Sequence, residues 1–274
     1  MNIHSFRIGS IPVGLDEPLF LMAGPCVIED RELCLEIASH LVDIRDRTGI
    51  PIIFKASFDK ANRSSLSSFR GYGLHEGLEI LAEVRHQTQL PLMTDIHEPD
   101  QAEPVSRVVD CLQIPAFLCR QTDLLVACAK TGKSINVKKG QFVSPDEMTN
   151  VVDKIRSSGN HRILLTERGT FFGYHRLVND MTAIEAMKSL GYPVVFDATH
   201  STQQPGGLGH ASAGRSDLAP LLAKAAIAAG ANGLFLEVHP RPKEAKSDAA
   251  CVLPLDQLEG ILAVCARIFA LVRE

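Results

Sequence analysis

The sequence places five basic residues at or just beyond the ends of short apolar segments. They are Lys55, Lys60, Arg63, Lys138 and Arg168. Lysine offers a point charge and arginine a bidentate fork, so both bind phosphate and carboxylate groups. The chain as a whole is acidic, with 28 Lys+Arg against 32 Asp+Glu and a formal net charge of -4. Any one lysine alone could equally be a salt-bridged strand-end residue, but all five together predict a local site for small phosphorylated substrates. The overall charge balance predicts no basic field across the chain that would bind nucleic acid or an anionic membrane.

A second set of residues combines a thiol, an imidazole and two carboxylates. Its members are Cys26, His200, Glu237 and Asp248. A mixed donor set of this kind suits Fe²⁺, Zn²⁺, Mn²⁺ or Co²⁺, and suits Mg²⁺ less because of the sulfur. Considered singly, Cys26 would be interpreted as a packing residue and His200 as a hydrogen-bonded histidine. Their shared location after apolar segments favours a divalent metal site instead.

Eight apolar, β-rich runs position these residues. They lie at residues 19–23, 51–55, 90–94, 111–115, 134–138, 162–166, 193–197 and 233–237. Their starts are 21 to 40 residues apart, which leaves room for a helix and two loops each time, as parallel strands require. The runs are nearly continuous rather than alternating, which is typical of a parallel sheet covered on both faces.

Helical periodicity fills the intervals. The clearest segments are residues 31–47, 74–87, 123–130, 145–157, 180–189, 217–229 and 255–272. Eight strand–helix units favour a (β/α)₈ TIM barrel, since no G-x-G-x-x-G follows the first run to indicate a doubly wound nucleotide-binding sheet. We therefore predict one catalytic domain over residues 1–274, with a short N-terminal β-hairpin capping the barrel bottom. In such a barrel the active site lies at the carboxyl ends of the strands.

Other features of the sequence indicate the cellular location of the protein and the role of one glycine-rich loop. No apolar run is long enough for a membrane span, and the N-terminus has no basic-then-apolar leader pattern. Seven irregularly spaced cysteines do not suggest a disulfide framework, so we expect a cytoplasmic protein with reduced thiols. The glycine-rich stretch at residues 206–214 fits either a connecting loop or, as its place beside His200 favours, a lid over the site.

Three motifs carry a family resemblance. They are Lys55-Ala-Ser-Phe-Asp-Lys-Ala-Asn-Arg-Ser-Ser65, Gln113-Ile-Pro-Ala-Phe117 and Asn136-Val-Lys-Lys-Gly140. These motifs are similar to the signature motifs of the 3-deoxy-D-manno-octulosonate 8-phosphate synthases. The resemblance covers essentially the whole chain. The related synthase of the aromatic pathway has Lys-Pro-Arg-Thr-Ser where this chain has Lys60-Ala-Asn-Arg-Ser-Ser65. This difference favours arabinose 5-phosphate over erythrose 4-phosphate as the aldose.

The resemblance implies a role for each motif residue. Phosphoenolpyruvate would be held by Lys55, Ser57, Lys60, Gln113, Ala116, Phe117, Lys138 and Arg168. The aldose would meet Lys60, Asn62 and Asp95, and its phosphate would meet Arg63, Ser64 and, from a neighbouring subunit, Arg120. A homotetramer is therefore implied. Lys55, Lys60 and Asp95 are the expected catalytic residues, with Lys60 handling the proton of the aldehyde oxygen if partial desolvation lets it titrate usefully.

The family divides into metal-dependent members with cysteine after Gly-Pro and metal-independent members with asparagine there. Cys26 occupies that place in this chain, and residues 197–207 and 246–249 also resemble the metal-dependent branch. Gln204 departs from the leucine expected before Pro205, but it is not one of the expected ligands. The resemblance thus implies a divalent metal of uncertain identity.

The expected reaction condenses phosphoenolpyruvate with D-arabinose 5-phosphate and water, which yields a lipopolysaccharide precursor and phosphate. Three alternatives stay open. One is the aromatic-pathway synthase, which uses erythrose 4-phosphate. Another is a non-catalytic barrel that binds sugar phosphates, and the third is a Schiff-base aldolase using Lys138 or Lys55.

Overall fold

Eight parallel strands close into a ring in the computed structural model, which describes residues 5–62, 65–207 and 213–274. The strands are β1 (Phe20–Gly24), β2 (Ile52–Lys55), β3 (Leu92–Asp95), β4 (Cys111–Ile114), β5 (Ser134–Lys138), β6 (Ile163–Glu167), β7 (Val194–Asp197) and β8 (Gly233–His239). Each strand pairs with the next along the chain, and β8 pairs back with β1. The predicted (β/α)₈ barrel is confirmed, with every strand at or near its predicted place.

Helices connect the strands. They are α1 (Arg31–Thr48), α2 (Leu74–Thr88), α3 (Ala102–Ser106), α4 (Thr122–Lys130), α5 (Met148–Arg156), α6 (Thr182–Lys188), α7 (Ala219–Ala228) and α8 (Leu258–Leu271). The ends of α1 follow from its sequence, since the Asp30 side chain accepts a hydrogen bond from Leu33 N and Gly49 adopts a left-handed φ of 70°. The sequence did not predict α3, because five residues are too few to show helical periodicity. None of the helices in the described ranges is long and apolar enough to cross a membrane.

Residues along the strands alternate between the helices and the barrel interior. In β2, Ile52 and Phe54 belong to the large core that the helices cover, whereas Ile53 belongs to a separate interior cluster. Lys55, two residues after Ile53, therefore points into the barrel as well. The same alternation directs Lys138 inward from the end of β5. Strand geometry thus brings these cations together at the carboxyl ends of the strands.

A β-hairpin closes the opposite end of the barrel. Its strands, Ser5–Ile8 and Ile11–Gly14, pair antiparallel. Their apolar side chains pack in the interior cluster with Phe20 and Ile53. The turn requires glycine, since Gly9 has a φ of 56° and a Cβ there would lie 2.8 Å from Pro91 Cγ. The predicted N-terminal hairpin is confirmed.

A second hairpin follows β6 and was not predicted. Its strands, Thr170–Gly173 and Arg176–Val178, pair antiparallel around the turn at His175. Exposed aromatic side chains, including Phe172 at 74% relative exposure, leave it without a buried face. The alternation of buried and exposed residues that identifies a strand from sequence is therefore missing here.

Candidate active site

A cavity of about 940 Å³ opens at the carboxyl ends of the strands. The predicted site residues that line it are Lys55, Lys60, Asn62, Asp95, Gln113, Ala116, Phe117, Lys138, Arg168, His200 and Asp248. Cys26, Ser57 and Glu237 lie just behind this lining, in hydrogen-bond or ion-pair contact with it. Arg63 and Ser64 lie outside the described residues. The structure thus assembles the described members of both predicted sets on one side of the barrel.

Lys55 ends β2 as a buried ammonium group between two carboxylates. Its Nζ lies 3.3 Å from Glu237 Oε1 and 3.4 Å from Asp95 Oδ2, and it donates to Ser57 Oγ at 2.9 Å. Burial by itself raises the pKa of Asp95, but the charges of Lys55 and Lys60 outweigh it and hold that pKa well below its ordinary value. Asp95 is therefore a carboxylate, and Lys55 is held rigidly beside it.

Lys138 reaches the centre of the barrel mouth from β5. Its Nζ donates to Asp197 Oδ2 at 2.6 Å and lies 3.8 Å from the centroid of the Phe235 ring. Burial lowers the pKa of Lys138. The negative charge of Asp197 raises that pKa but does not fully offset burial, and the positive charge of Lys55 lowers it further. The ammonium group therefore gains from any anion that enters the cavity.

Arg168 follows β6 and is 4% exposed. Its Nη2 donates to Gln203 Oε1 at 2.6 Å, while its Nη1 is buried with no hydrogen-bond partner among the described residues. The backbone N–H groups of Arg168 and Gly169 donate to Glu167 Oε1, at 3.0 and 2.6 Å, which fixes the turn that carries the guanidinium. Because a buried unpaired donor is costly, this nitrogen indicates the place of a bound anion.

Four potential metal ligands lie near the carboxyl ends of β1, β7 and β8. Ligand atoms of Cys26, Glu237 and Asp248 all lie within 4.8 Å of one another. His200 Nε2 lies 3.6 Å from Glu237 Oε2 and 4.0 Å from Asp248 Oδ2. Glu237 Oε2 is buried with no hydrogen-bond partner among the described residues. A largely buried set of sulfur, nitrogen and oxygen donors, one of which is a carboxylate oxygen with no partner among the described residues, fits a divalent metal.

Local backbone geometry sets this cluster up. A Cβ at Gly24 would lie 2.1 Å from Lys55 O, so glycine is needed for β1 to approach β2 just before Cys26. Asp248 has a φ of 49°, a left-handed conformation that aspartate tolerates better than most residues. Burial and then the charge of Glu237 raise the pKa of the Cys26 thiol well above its usual value.

Lys60 lies half-buried at the edge of the cavity. Burial by itself lowers its pKa, but the opposing influence of Cys26, Glu237 and Asp95 is stronger, so the pKa of Lys60 lies above its ordinary value. This direction is opposite to the lowering that desolvation alone would give, and a role for Lys60 in handling the aldehyde-oxygen proton stays a prediction. A raised pKa favours the protonated amine, which can donate a proton.

The segment after β4 carries three predicted residues with different surroundings. Ala116 is buried and Phe117 is 46% exposed, and both line the cavity. Arg120 is exposed and does not line the cavity of its own chain. Its carbonyl accepts a hydrogen bond from Lys154 Nζ at 2.9 Å. A role for Arg120 in a neighbouring subunit's site stays a prediction.

The loop after β7 folds back beside the cavity. Gln203–Gln204 pairs antiparallel with Ala213–Gly214, and Pro205 and Gly206 line the cavity. Residues 208–212 lie outside the described residues, so the lid predicted over 206–214 stays a prediction.

Two residues of the site were missed as functional residues at the sequence level. Asp197 Oδ2 contacts both Lys138 and His200, and a carboxylate three residues before a histidine at a strand end was a usable signal. Gln203 links Arg168 to Asp248, donating to Asp248 Oδ1 at 3.2 Å. No sequence pattern identifies such a bridge, because it joins residues that are distant along the chain.

Comparison with known proteins agrees with this geometry. The model of the DAHP synthetase I family matches residues 3–273. The protein named 2-dehydro-3-deoxyphosphooctonate aldolase from Desulfatibacillum aliphaticivorans is 55% identical over 260 residues, covering 94% of this chain and 95% of that protein. The proteins of the same name from Syntrophotalea carbinolica and Ralstonia pickettii are each 51% identical, over 269 and 273 residues, and cover 98% and 97% of this chain and 97% and 96% of their own lengths. The chain therefore belongs to the DAHP synthetase I family and, within it, to the 2-dehydro-3-deoxyphosphooctonate aldolases, also called 3-deoxy-D-manno-octulosonate 8-phosphate synthases.

Proposed function

We propose that this chain condenses phosphoenolpyruvate with D-arabinose 5-phosphate and water to give 3-deoxy-D-manno-octulosonate 8-phosphate, a lipopolysaccharide precursor, and inorganic phosphate. The observation that carries the proposal is the group of buried cations Lys55, Lys138 and Arg168 in one cavity, with Arg168 Nη1 lacking a hydrogen-bond partner among the described residues. An enol phosphate with a carboxylate supplies the acceptors that these groups need.

The reaction forms a carbon–carbon bond and a carbon–oxygen bond to water, and it breaks the carbon–oxygen bond to phosphate. The enol electrons of phosphoenolpyruvate form a bond from C3 to the aldehyde carbon, and the aldehyde oxygen takes up a proton. Water adds to C2 and loses a proton, and the resulting hemiketal phosphate releases phosphate by cleavage of its C2–O bond. Lys138 and Arg168 hold the phosphoenolpyruvate anion beside the phosphorylated aldose. Because both substrates are then held at attack distance, much of the entropy cost of a bimolecular encounter is removed.

Lys60 is the proposed proton donor to the aldehyde oxygen. It lines the same cavity as Asn62 and Asp95, the residues proposed to bind the aldose. Its raised pKa keeps it protonated, which suits donation to an oxygen that gains negative charge. Ser57 supports this part of the site indirectly, since it bridges Lys55 and Asp95.

We further propose that Cys26, His200, Glu237 and Asp248 hold a divalent metal, either Fe²⁺, Zn²⁺, Mn²⁺ or Co²⁺. When bound, such an ion supplies Lewis-acid chemistry that polarises the aldehyde or orients the water. The chain's own part is to hold the donors in place, and Asp197 does so by bonding the other ring nitrogen of His200.

Association into a homotetramer in the cytoplasm is also part of the proposal. Phe117 and Phe142 are about half exposed beside the cavity mouth, and the exposed Phe171 is tied to the same region because its N–H donates to Gln141 O at 2.9 Å. Adjacent exposed aromatic residues favour a protein interface. A neighbour at this surface would let Arg120 join Arg63 and Ser64 around the aldose phosphate.

The proposed cytoplasmic location rests on the cysteines. Seven free cysteines support a reducing compartment.

Phosphate release tests the proposed reaction. The protein is incubated with phosphoenolpyruvate and arabinose 5-phosphate, before and after removal of metal with a chelator and after restoration of Mn²⁺ or Zn²⁺. Release that is lost and then restored supports both the reaction and the metal. Release that survives chelation, with metal analysis confirming removal, overturns the catalytic metal alone.

A second aldose and a trapping reagent distinguish the alternatives. Release with erythrose 4-phosphate in place of arabinose 5-phosphate would identify the other branch of the DAHP synthetase I family. No release with either aldose would favour a non-catalytic sugar-phosphate-binding barrel. Borohydride trapping of a covalent lysine adduct would identify a Schiff-base aldolase, because the proposed reaction forms none.

A further inference from the structure

A row of buried polar side chains crosses four neighbouring strands beneath the cavity. Thr166 Oγ1 lies 2.6 Å from Asn136 Oδ1. Asn136 Nδ2 lies 2.9 Å from Gln113 Oε1, and Gln113 Nε2 contacts Asp95 Oδ1. Asp95, Gln113 and Asn136 are also register partners across β3, β4 and β5. None of the four residues is more than 6% exposed, so water does not replace these bonds.

The charge of Asp95 dictates the direction of every bond in the row. A carboxylate only accepts, so Gln113 must turn its Nε2 toward Asp95, which leaves its Oε1 facing Asn136. Asn136 must then donate through Nδ2, and its Oδ1 must accept the Thr166 hydroxyl proton. Reversing either amide would set a carbonyl oxygen against another acceptor in a buried site, which is unfavourable because neither group could then form its hydrogen bond.

This direction decides what Gln113 offers to the cavity. Its carbonyl oxygen is occupied by Asn136, and one of its two Nε2 hydrogens is occupied by Asp95. The remaining N–H is a donor in a cavity that Lys138 and Arg168 also line. Phosphoenolpyruvate carries phosphate and carboxylate oxygens, which are all acceptors.

We propose that Asn136 and Thr166 are positioning residues that hold the Gln113 amide with its N–H, and not its carbonyl, toward phosphoenolpyruvate. The inference rests on the proposed function, because it concerns the binding of that substrate. Neither residue lines the cavity. Their effect therefore passes through Gln113.

The test is calorimetric binding of phosphoenolpyruvate to the metal-loaded protein without aldose, together with the KM of each substrate. Asn136→Leu keeps the side-chain shape and removes the donor, so the Kd for phosphoenolpyruvate is expected to rise about tenfold or more, the loss of one hydrogen bond to a charged group. The KM for arabinose 5-phosphate is expected to change by less than about threefold. Thr166→Val should weaken binding in the same direction, and Thr166→Ser should restore it because the hydroxyl returns.

Ser134→Ala is the matched control. Ser134 is an interior residue of the same strand at the other end of the barrel, where its hydroxyl donates to Arg7 O at 3.4 Å. This variant should bind phosphoenolpyruvate normally even if its thermal unfolding shifts. The comparison separates a loss of stability from a loss of orientation.

Three results would overturn the inference. One is normal phosphoenolpyruvate binding by folded Asn136→Leu, and another is an equal loss of affinity for both substrates. If Asn136→Leu does not fold, equal binding by Thr166→Val and Thr166→Ser would overturn it. A wild-type protein that binds no phosphoenolpyruvate would instead overturn the proposed function, and this inference with it.

Discussion

His200 is held by Asp197 through two contacts. The backbone N–H of His200 donates to Asp197 Oδ1 at 2.9 Å, and His200 Nδ1 lies 2.8 Å from Asp197 Oδ2. Because a carboxylate only accepts hydrogen bonds, the second contact requires a proton on Nδ1, and Nε2 faces Glu237 and Asp248. Asp197 therefore orients the ring toward the proposed metal.

Replacing Asp197 should weaken metal binding. In Asp197→Asn the carboxylate that fixes the histidine ring is lost, so Zn²⁺ affinity is expected to fall roughly 10–100-fold. Calorimetric titration of the metal-free protein with Zn²⁺ measures this. Asp217→Asn is the control, because Asp217 is an exposed partner of Arg215 and is not one of the predicted ligands. Equal Zn²⁺ affinity in the two variants would contradict the assignment.

Replacing Arg168 should mainly affect phosphoenolpyruvate. Arg168→Lys keeps the charge but loses the fork that includes Nη1, which has no hydrogen-bond partner in the part of the chain that the structure describes. The KM for phosphoenolpyruvate is expected to rise by about 10–100-fold, equivalent to about 1.5–3 kcal/mol. Steady-state kinetics with each substrate varied in turn measures the effect, and Arg215→Lys on the surface is the control. A larger change in the KM of the aldose would argue against this role.

Replacing the thiol of Cys26 should change metal preference. Cys26→Ser exchanges a soft ligand for a hard one, so retention of Zn²⁺ is expected to fall relative to Mn²⁺. Metal content after dialysis against an equimolar mixture of the two ions measures this ratio. Cys265→Ala tests for a general cysteine effect, since Cys265 is buried within α8. An unchanged ratio in Cys26→Ser would show that the sulfur is not a ligand.

Replacing Lys60 should slow turnover. Lys60→Met keeps much of the side-chain length but removes the proton donor, so kcat is expected to fall about 10²–10⁴-fold, the usual effect of losing a general acid. Phosphate release at saturating substrates measures kcat, and Lys224→Met on α7 is the control. Near-normal turnover would exclude Lys60 as the proton donor.

Changing the hairpin should affect stability and leave the site intact. Ile8 is fully buried beneath the barrel, so Ile8→Ala is expected to lower the free energy of unfolding by about 2–5 kcal/mol. Chemical denaturation measures this loss. Both KM values should stay unchanged below the unfolding temperature, because the hairpin closes the end opposite the cavity. A change in KM would mean that the two ends are coupled.

Much of the architecture followed from the sequence alone. Eight apolar runs at intervals long enough for a helix determine a parallel barrel, since continuous apolar strands must be covered on both faces. In such a barrel the active site lies at the carboxyl ends of the strands, and Lys55, Lys138 and Arg168 therefore line one cavity. The motifs around these residues indicate the family. These inferences depend on local pattern and on the fixed geometry of the fold.

The tertiary structure decided the partners and the protonation states. Cys26 and Asp248 are 222 residues apart in sequence, and only the closed ring brings their ligand atoms within 3.3 Å. Burial lowers the pKa of Lys60, whereas Cys26 and carboxylates from other segments raise it. The direction of the net pKa shift therefore cannot be obtained from the sequence. The bridge from Arg168 through Gln203 to Asp248, and the direction of the row that ends at Asp95, likewise require atomic contacts between distant segments. Sequence pattern determines which residues share an end of the barrel, whereas distances of a few ångströms determine which of them interact.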